Sequence, residues 1–531
     1  MPRDQTITTF AQLEAAHSGK ATRAQTIRDG AGVRAGVDLG VEAGVTAGLS
    51  DAGALSDSNN ITITNESQAS SASSSGTGTL GDPYIIRDLR FDNSESTTIG
   101  FYWNDSDADY YIKLINCELY GYTAYQIRSN TGTTLFVESC KIYDPSPAAF
   151  RYGVWSESGT VNCTKTLFAG LGDDAFRFGG GSIDVSNVRF DASESAWVTD
   201  ACMFQSLDAG GGTATIDHCD FMVNNANVDV LRLWKDATWS ITNCYGEDMR
   251  YVTSSNMNED CNSFTMADCH FKDFTAHIVV RFGGQTLNNF DIGYCYFDDN
   301  NSGNRLVDIR HSPDNGRVHH CKFKKTTGTK VADNECLEAW FPTNVVFDYN
   351  WVEECTEDAY EMISPGVGCA IRDSVADSCE GQIIDLFSDN NNNLPASSQG
   401  VTVERIYGES LDDYAVIVTD VGSSGGTGEI EIVDIYASNA SAGVASAILL
   451  EQRNVTAGTG PNRVHVRGAT PLPTESSSST PFSTTGTLGS DNSAAWFNSS
   501  EEYQTLGDVQ QAGGARYRLR RRGRKRSYST L

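Results

Sequence analysis

The chain has 531 residues, with 69 Asp and Glu against 39 Lys and Arg, a net charge of −30, 50 Gly and 14 Cys. That length allows two to four ordinary domains or one elongated repeat domain, and no stretch approaches the roughly 18 to 20 apolar residues needed to span a bilayer. The start, "MPRDQTITTFAQLEAAHSGK", lacks a charged segment followed by an apolar one, so no secretory signal is expected and synthesis in the cytoplasm is. An acidic surface poor in Lys keeps a protein hydrated at high ionic strength, which fits a saline (halophilic) source.

The first element in chain order is "AGVRAGVDLGVEAGVTAGL" (31–49), with Gly at 32, 36, 40, 44 and 48. As a strand it gathers Val, Ala and Leu on one face; as a helix its Gly residues line a groove at a cost of up to about 1 kcal/mol each. Neither form is comfortable alone. Residues 1–59 are therefore expected to be an attachment segment that docks on its own copies or on another protein, the alternative being a flexible linker.

From residue 60 to 470 one phrase returns: "KLINCELYG", "LFVESCKIYD", "GTVNCTKTL", "IDVSNVRFD", "ATIDHCDFM", "WSITNCYGE", "FTMADCHFK", "FDIGYCYFD", "GRVHHCKFK". Its Cys position falls at 117, 140, 163, 188 (Val), 219, 244, 269, 295 and 321, with Leu89, Asn350, Ser374, Ile406 and Ile435 continuing the series in weaker copies. A second phrase follows each first one, as in "AYQIRSN", "DAFRFGG", "DVLRLWK" and "IVVRFGG". Two short alternating strands per unit, broken by Gly, Asn and Asp, at a period near 25, describe a coil of a parallel β-helix, whose inner face is buried only by its neighbours. The expected fold is all-β, a single-stranded right-handed parallel β-helix of about 13 coils. The Cys residues then form an internal ladder of small buried side chains, with no spacing that speaks for disulfides or zinc.

"GTGTLGDPYIIRDLRF" (76–91), followed by these coils, resembles the entry and body of right-handed parallel β-helix proteins: the pectate-lyase-like superfamily, carbohydrate-binding β-helix repeats and bacteriophage tailspikes. The resemblance implies a fold more than a function, because such coils host lyases, hydrolases and inert adhesins.

In the second phrases Arg128, Arg151, Arg177, Arg232, Arg281 and Arg310 are expected to point outward from equivalent strands, a broken guanidinium column at the ordinary interstrand spacing of about 4.8 Å. Asp173 and Asp174 lie near enough in sequence to offset it, as do Asp229 and Asp308. Planar guanidinium groups hold carboxylates or sulfates in pairs of hydrogen bonds, so the column reads as a groove for an anionic polysaccharide, or else as an Arg–Asp lattice on a solvated wall or subunit contact. Gly172-Asp173-Asp174 resembles an element of polygalacturonase-type glycoside hydrolases, but their other motifs are missing. His270, His277, His311, His319 and His320 fall on adjacent coils without a metal-ligand spacing, and His218 and His320 sit in the turn before Cys. No residue is assigned to catalysis, a metal or a cofactor.

Residues 471–514 read as a Ser/Thr/Pro-rich linker, and 515–531 as an Arg-rich tail that is disordered or docked, carrying Arg516, Arg518, Arg520, Arg521, Arg522, Arg524, Lys525 and Arg526. Such tails bind nucleic-acid phosphates or an acidic partner. The combined expectation is a virion surface protein, a tailspike or fibre-like adhesin for host polysaccharide, associated with other virion proteins. On the resemblance alone, it is expected to be a homotrimer. A β-helix polysaccharide lyase or hydrolase is one alternative, and a capsid-associated protein with a nucleic-acid-binding tail another.

Overall fold

A computed structural model describes residues 56–57 and 66–92, then 101–387 with short gaps, and beyond these the strands up to Thr505. The attachment segment apart from Ser56–Asp57, and the whole Arg-rich tail, lie outside the described residues. The fold is an all-β parallel β-solenoid.

A typical coil shows why the sequence folds this way. Tyr111–Ile115 alternates half-buried and buried residues, sending Ile112 and Leu114 inward. Asn116 then takes φ +53°, a left-handed conformation that Asn tolerates because its side chain bonds locally. That single residue turns the corner into Glu118–Tyr120, and a loop leads to a third strand, Tyr125–Ser129. The corner recurs at Ser139, Lys165, Asn187, His218, Asn243, Asp268, Tyr294, His320, Tyr349, Asp373 and Arg405. Thus His218 and His320 are corner residues.

The slot after each corner residue is the ladder expected from the sequence, with one correction. Lys165 is the corner of its coil, so Thr166 fills the slot; Cys163 lies within the first strand, opposite Val137 and Val185. All 14 Cys are free and buried. Their role is more than that of a small apolar group: Cys140, Cys244, Cys269, Cys295 and Cys321 each donate S–H to the carbonyl two residues back, at 3.1–3.4 Å, and Thr166 Oγ1 does the same at 3.0 Å. Two places on, Phe168, Phe190 and Phe221 stack at 5.2 and 5.0 Å, so a ring column fills the interior beside the thiols.

First strands pair in parallel, coil to coil, as in Tyr111–Ile115 with Thr134–Glu138 and that with Thr160–Thr164. Third strands form a separate parallel sheet of 15 strands. The count of about 13 coils is corrected: about nine turns carry the regular repeat. At Asn350 and Ser374 the slot turns polar before Ile406 and Ile435 fill it again with apolar side chains, and Ala370–Asp377 runs as one strand past the corner, pairing with both Thr343–Asp348 and Trp351–Glu353. The weak copies at Ser374, Ile406 and Ile435 therefore mark single long strands that extend the ladders rather than coils of the same form.

At the entry, helix α1 (Glu66–Ala72) buries Ala69 against the first coil, and Glu66 accepts hydrogen bonds from Tyr84 and Tyr110 at 2.8 and 2.9 Å. Among the described residues no helix is long and apolar enough to cross a membrane.

Candidate functional site

The outward row of the third-strand sheet can be followed through its register. Tyr102 pairs with Arg128, then come Trp155, Arg177, Gln205, Arg232 and Ser254. Farther on, Arg281 pairs with Asp308, followed by Glu338, Glu361 and Asp385. Four of the six expected Arg residues occupy the row: Arg128, Arg177, Arg232 and, by backbone register, Arg281. Arg151 and Arg310 do not. Arg151 precedes its strand, Tyr152–Ser156, where Trp155 faces outward. Arg310 follows Val307–Ile309, where Asp308 holds the row position. The row therefore changes sign along the solenoid, from guanidinium to carboxylate.

At the basic end Trp155 lies between Arg128 and Arg177, whose guanidinium carbons sit 5.5 and 4.8 Å from its ring centre. Tyr125 and Tyr152 stack on each other at 5.5 Å and meet Trp155 edge-on. Arg128 pairs with Glu157, Arg177 donates to the Tyr152 hydroxyl at 2.7 Å, and Arg232 lies 3.4 Å from Asp229. Arg151 is held away from the row by Asp144 at 3.0 Å. The three row guanidiniums keep 24%, 22% and 19% of their side chains exposed. Guanidinium presents its N–H donors in a planar fork that matches a carboxylate or sulfate.

Asp173 and Asp174 part company. Asp173 is half-buried, whereas Asp174 is fully buried beneath the row, 3.8 Å from Arg177, and accepts from Cys202 Sγ at 3.0 Å. Burial, then the neighbouring Asp173 charge, pushes the Asp174 carboxyl up to about 7. It supports the row rather than lining a groove.

The acidic end was not singled out by sequence reasoning. Glu335, Glu338 and Glu361 are all buried, with carboxylate oxygens within 4.8 Å of one another. Arg305 contacts Glu335 at 2.8 Å and Glu338, while Arg310 takes both oxygens of Asp308 at 2.8 and 3.0 Å and lies over Trp340. Burial and the Asp308 charge push Glu338 up to about 8; burial and its acidic neighbours raise Glu361 as well. Only the strand pairing could have revealed this group, because Glu361 joins Glu335 and Glu338 from the next coil.

Among the described histidines only His319 and His320 meet, with their Nδ1 atoms 3.0 Å apart. His270 stacks on Tyr296 at 4.6 Å, His319 meets Asp291 at 3.0 Å, and His320 stacks between Tyr294 and Tyr349 at 4.7 and 4.8 Å; His277 and His311 lie outside the described residues. No family model matches the chain, and no curated protein matches it.

Proposed function

We propose that the protein is a particle-borne adhesin, a virion surface spike that holds an anionic host polysaccharide along the basic end of its third-strand sheet. The observation that carries this reading is the row Arg128–Trp155–Arg177–Gln205–Arg232, in which the partly exposed guanidiniums of Arg128 and Arg177 are propped by aromatic rings and that of Arg232 lies by Asp229. Strands about 4.8 Å apart bring a guanidinium on every second strand, about every 9.6 Å, a periodicity suited to a chain of charged sugars, and the solenoid gives such a ligand a rigid bed. Attachment to a particle rests on the Gly-patterned segment and the Arg-rich tail.

Binding is favoured over cleavage. A catalytic carboxyl must reach the glycosidic oxygen, yet Asp174 and Glu338, the acids with the most usefully raised affinity for protons, have no exposed surface.

The test is retention of the full-length chain on immobilised uronic-acid or sulfated polysaccharides, against neutral ones, as salt is raised. To remove the tail's contribution, Arg516, Arg518, Arg520, Arg521, Arg522 and Arg524 are replaced by Ser. Retention on anionic chains that survives this change and falls about tenfold on Arg177→Ala, in line with loss of one charged hydrogen-bonding group, is expected. Retention lost with the tail alone, or equal on neutral chains, overturns the reading.

A further inference from the structure

Fully ionised, the three carboxylates of the acidic end and the Arg305 guanidinium carry two negative charges in excess, a charge that burial opposes and a cation would offset. Glu335 and Glu361 keep only 6% and 8% of their surface, and Glu338 keeps none. One oxygen of Glu338 lies against Arg305, but Oε1 has no hydrogen-bond partner among the described residues, and the group beside it, Glu361, is another acid. A wholly buried oxygen left without a donor is costly. Asp308 cannot share its counter-charge, since Arg310 occupies both its oxygens, and Asp358, whose Oδ1 accepts from the Gln382 N–H at 2.8 Å, adds a further acid nearby.

We propose that Glu335, Glu338 and Glu361 form a calcium site that clamps two neighbouring coils of the solenoid. The geometry fits the ion. Oxygens on a shell about 2.4 Å from a common Ca²⁺ lie no more than twice that distance apart, a limit these oxygens, all within 4.8 Å of one another, respect. All ligand atoms are carboxylate oxygens, the class taken by hard cations. Mg²⁺ holds several waters in a strict octahedron, whereas Ca²⁺ accepts irregular and bidentate carboxylates, and this group is buried apart from the small exposed edges of Glu335 and Glu361. Those edges are the way in. One divalent ion leaves the three carboxylates and Arg305 neutral, and because Glu338 and Glu361 stand opposite each other on paired strands, it binds Leu337–Trp340 to Tyr360–Ile363.

The experiment uses the full-length chain, freed of metal with a chelator and held at about 0.5 M salt, where the Debye length is only a few ångströms and loose counter-ions on the acidic surface are screened. Tb³⁺, a luminescent calcium analogue, is excited through protein Trp and then displaced with Ca²⁺. Trp340, two residues after Glu338, is the nearest sensitiser along that strand. One saturable equivalent is expected. Glu361→Gln is expected to weaken it by about a hundredfold, and Trp340→Phe to dim the luminescence without changing Ca²⁺ affinity. No saturable uptake, or uptake unchanged in Glu361→Gln, overturns the proposal. Should Glu361→Gln fail to fold, the wild-type chain decides: the site requires a higher Tm in Ca²⁺ than in chelator, and equal values overturn it. Polysaccharide retention measured in chelator separates this result from that of the adhesin reading.

Discussion

Asp174 shows what the fold imposes on one side chain. Its carboxyl is fully buried, one oxygen accepts from Cys202, and the other has no hydrogen-bond partner, so the charged form is disfavoured. The folded-state value, about 7, exceeds the ordinary value of 3.8. A raised carboxyl means that the native state keeps a proton the unfolded chain has already lost. Its stabilisation is therefore complete below about pH 4 and is lost as pH rises through about 7, a change on the order of 4 kcal/mol. Asp174→Asn keeps an acceptor for the thiol and removes the titration. Urea denaturation at pH 5 and pH 8 is expected to show a smaller loss of stability in the variant than in the parent; equal losses would mean that Asp174 is already neutralised by Arg177. Sequence alone identified the Asp173-Asp174 pair but not which member turns inward. Both are acids at consecutive positions, and only the neighbouring coil, which brings Cys202 under Asp174, distinguishes them.

At the level of strands, the repeated phrase made most of the fold legible, because alternation and a corner residue are local properties. The row was legible only in part. Phrases aligned on the letter Arg placed Arg151 and Arg310 in it, whereas the strand is set by inward residues: Val154 pairs with Ile127 and Phe176, and Val307 with Val280 and Leu337. Counting from those, Trp155 and Asp308 face outward. The same logic hid the carboxylates, since Glu338 and Glu361 are unremarkable within "LEAW" and "YEMI" and become neighbours only by register. Register also makes a prediction. Gly316 stands opposite Phe290, and a Cβ there would run into the Phe290 ring. Gly316→Ala is expected to destabilise by about 1–3 kcal/mol, the usual cost of overpacking, and a second change, Phe290→Val, to recover part of it. Chemical denaturation of the two variants checks this; additive losses would show that the ring is not the obstacle.

For the whole molecule the decisive property is that each coil touches chiefly the next, so stability is a sum of coil and interface contributions and cooperation passes along one axis. Phe columns and slot residues carry that cooperation through the middle coils, and their continuity is a point of weakness. Ile216 is fully buried in Thr213–Asp217, which pairs with Ser182–Ser186 on one side and Thr238–Thr242 on the other. Proline there removes a ladder donor and costs about 3 kcal/mol or more by analogy with other interior sites. In a globular core that loss would lower a single transition. Here it falls on one rung, and the coils on either side still cover each other on their far faces. Ile216→Pro is therefore expected to split one urea transition into two, with amide exchange accelerated first in residues 182–242 and protection kept around the acidic end near Glu338. If Ca²⁺ clamps that end, chelator should lower only the transition that contains Glu338. A single, uniformly shifted transition would show that the solenoid cooperates over its full length and that its two differently charged ends are not separable folding units.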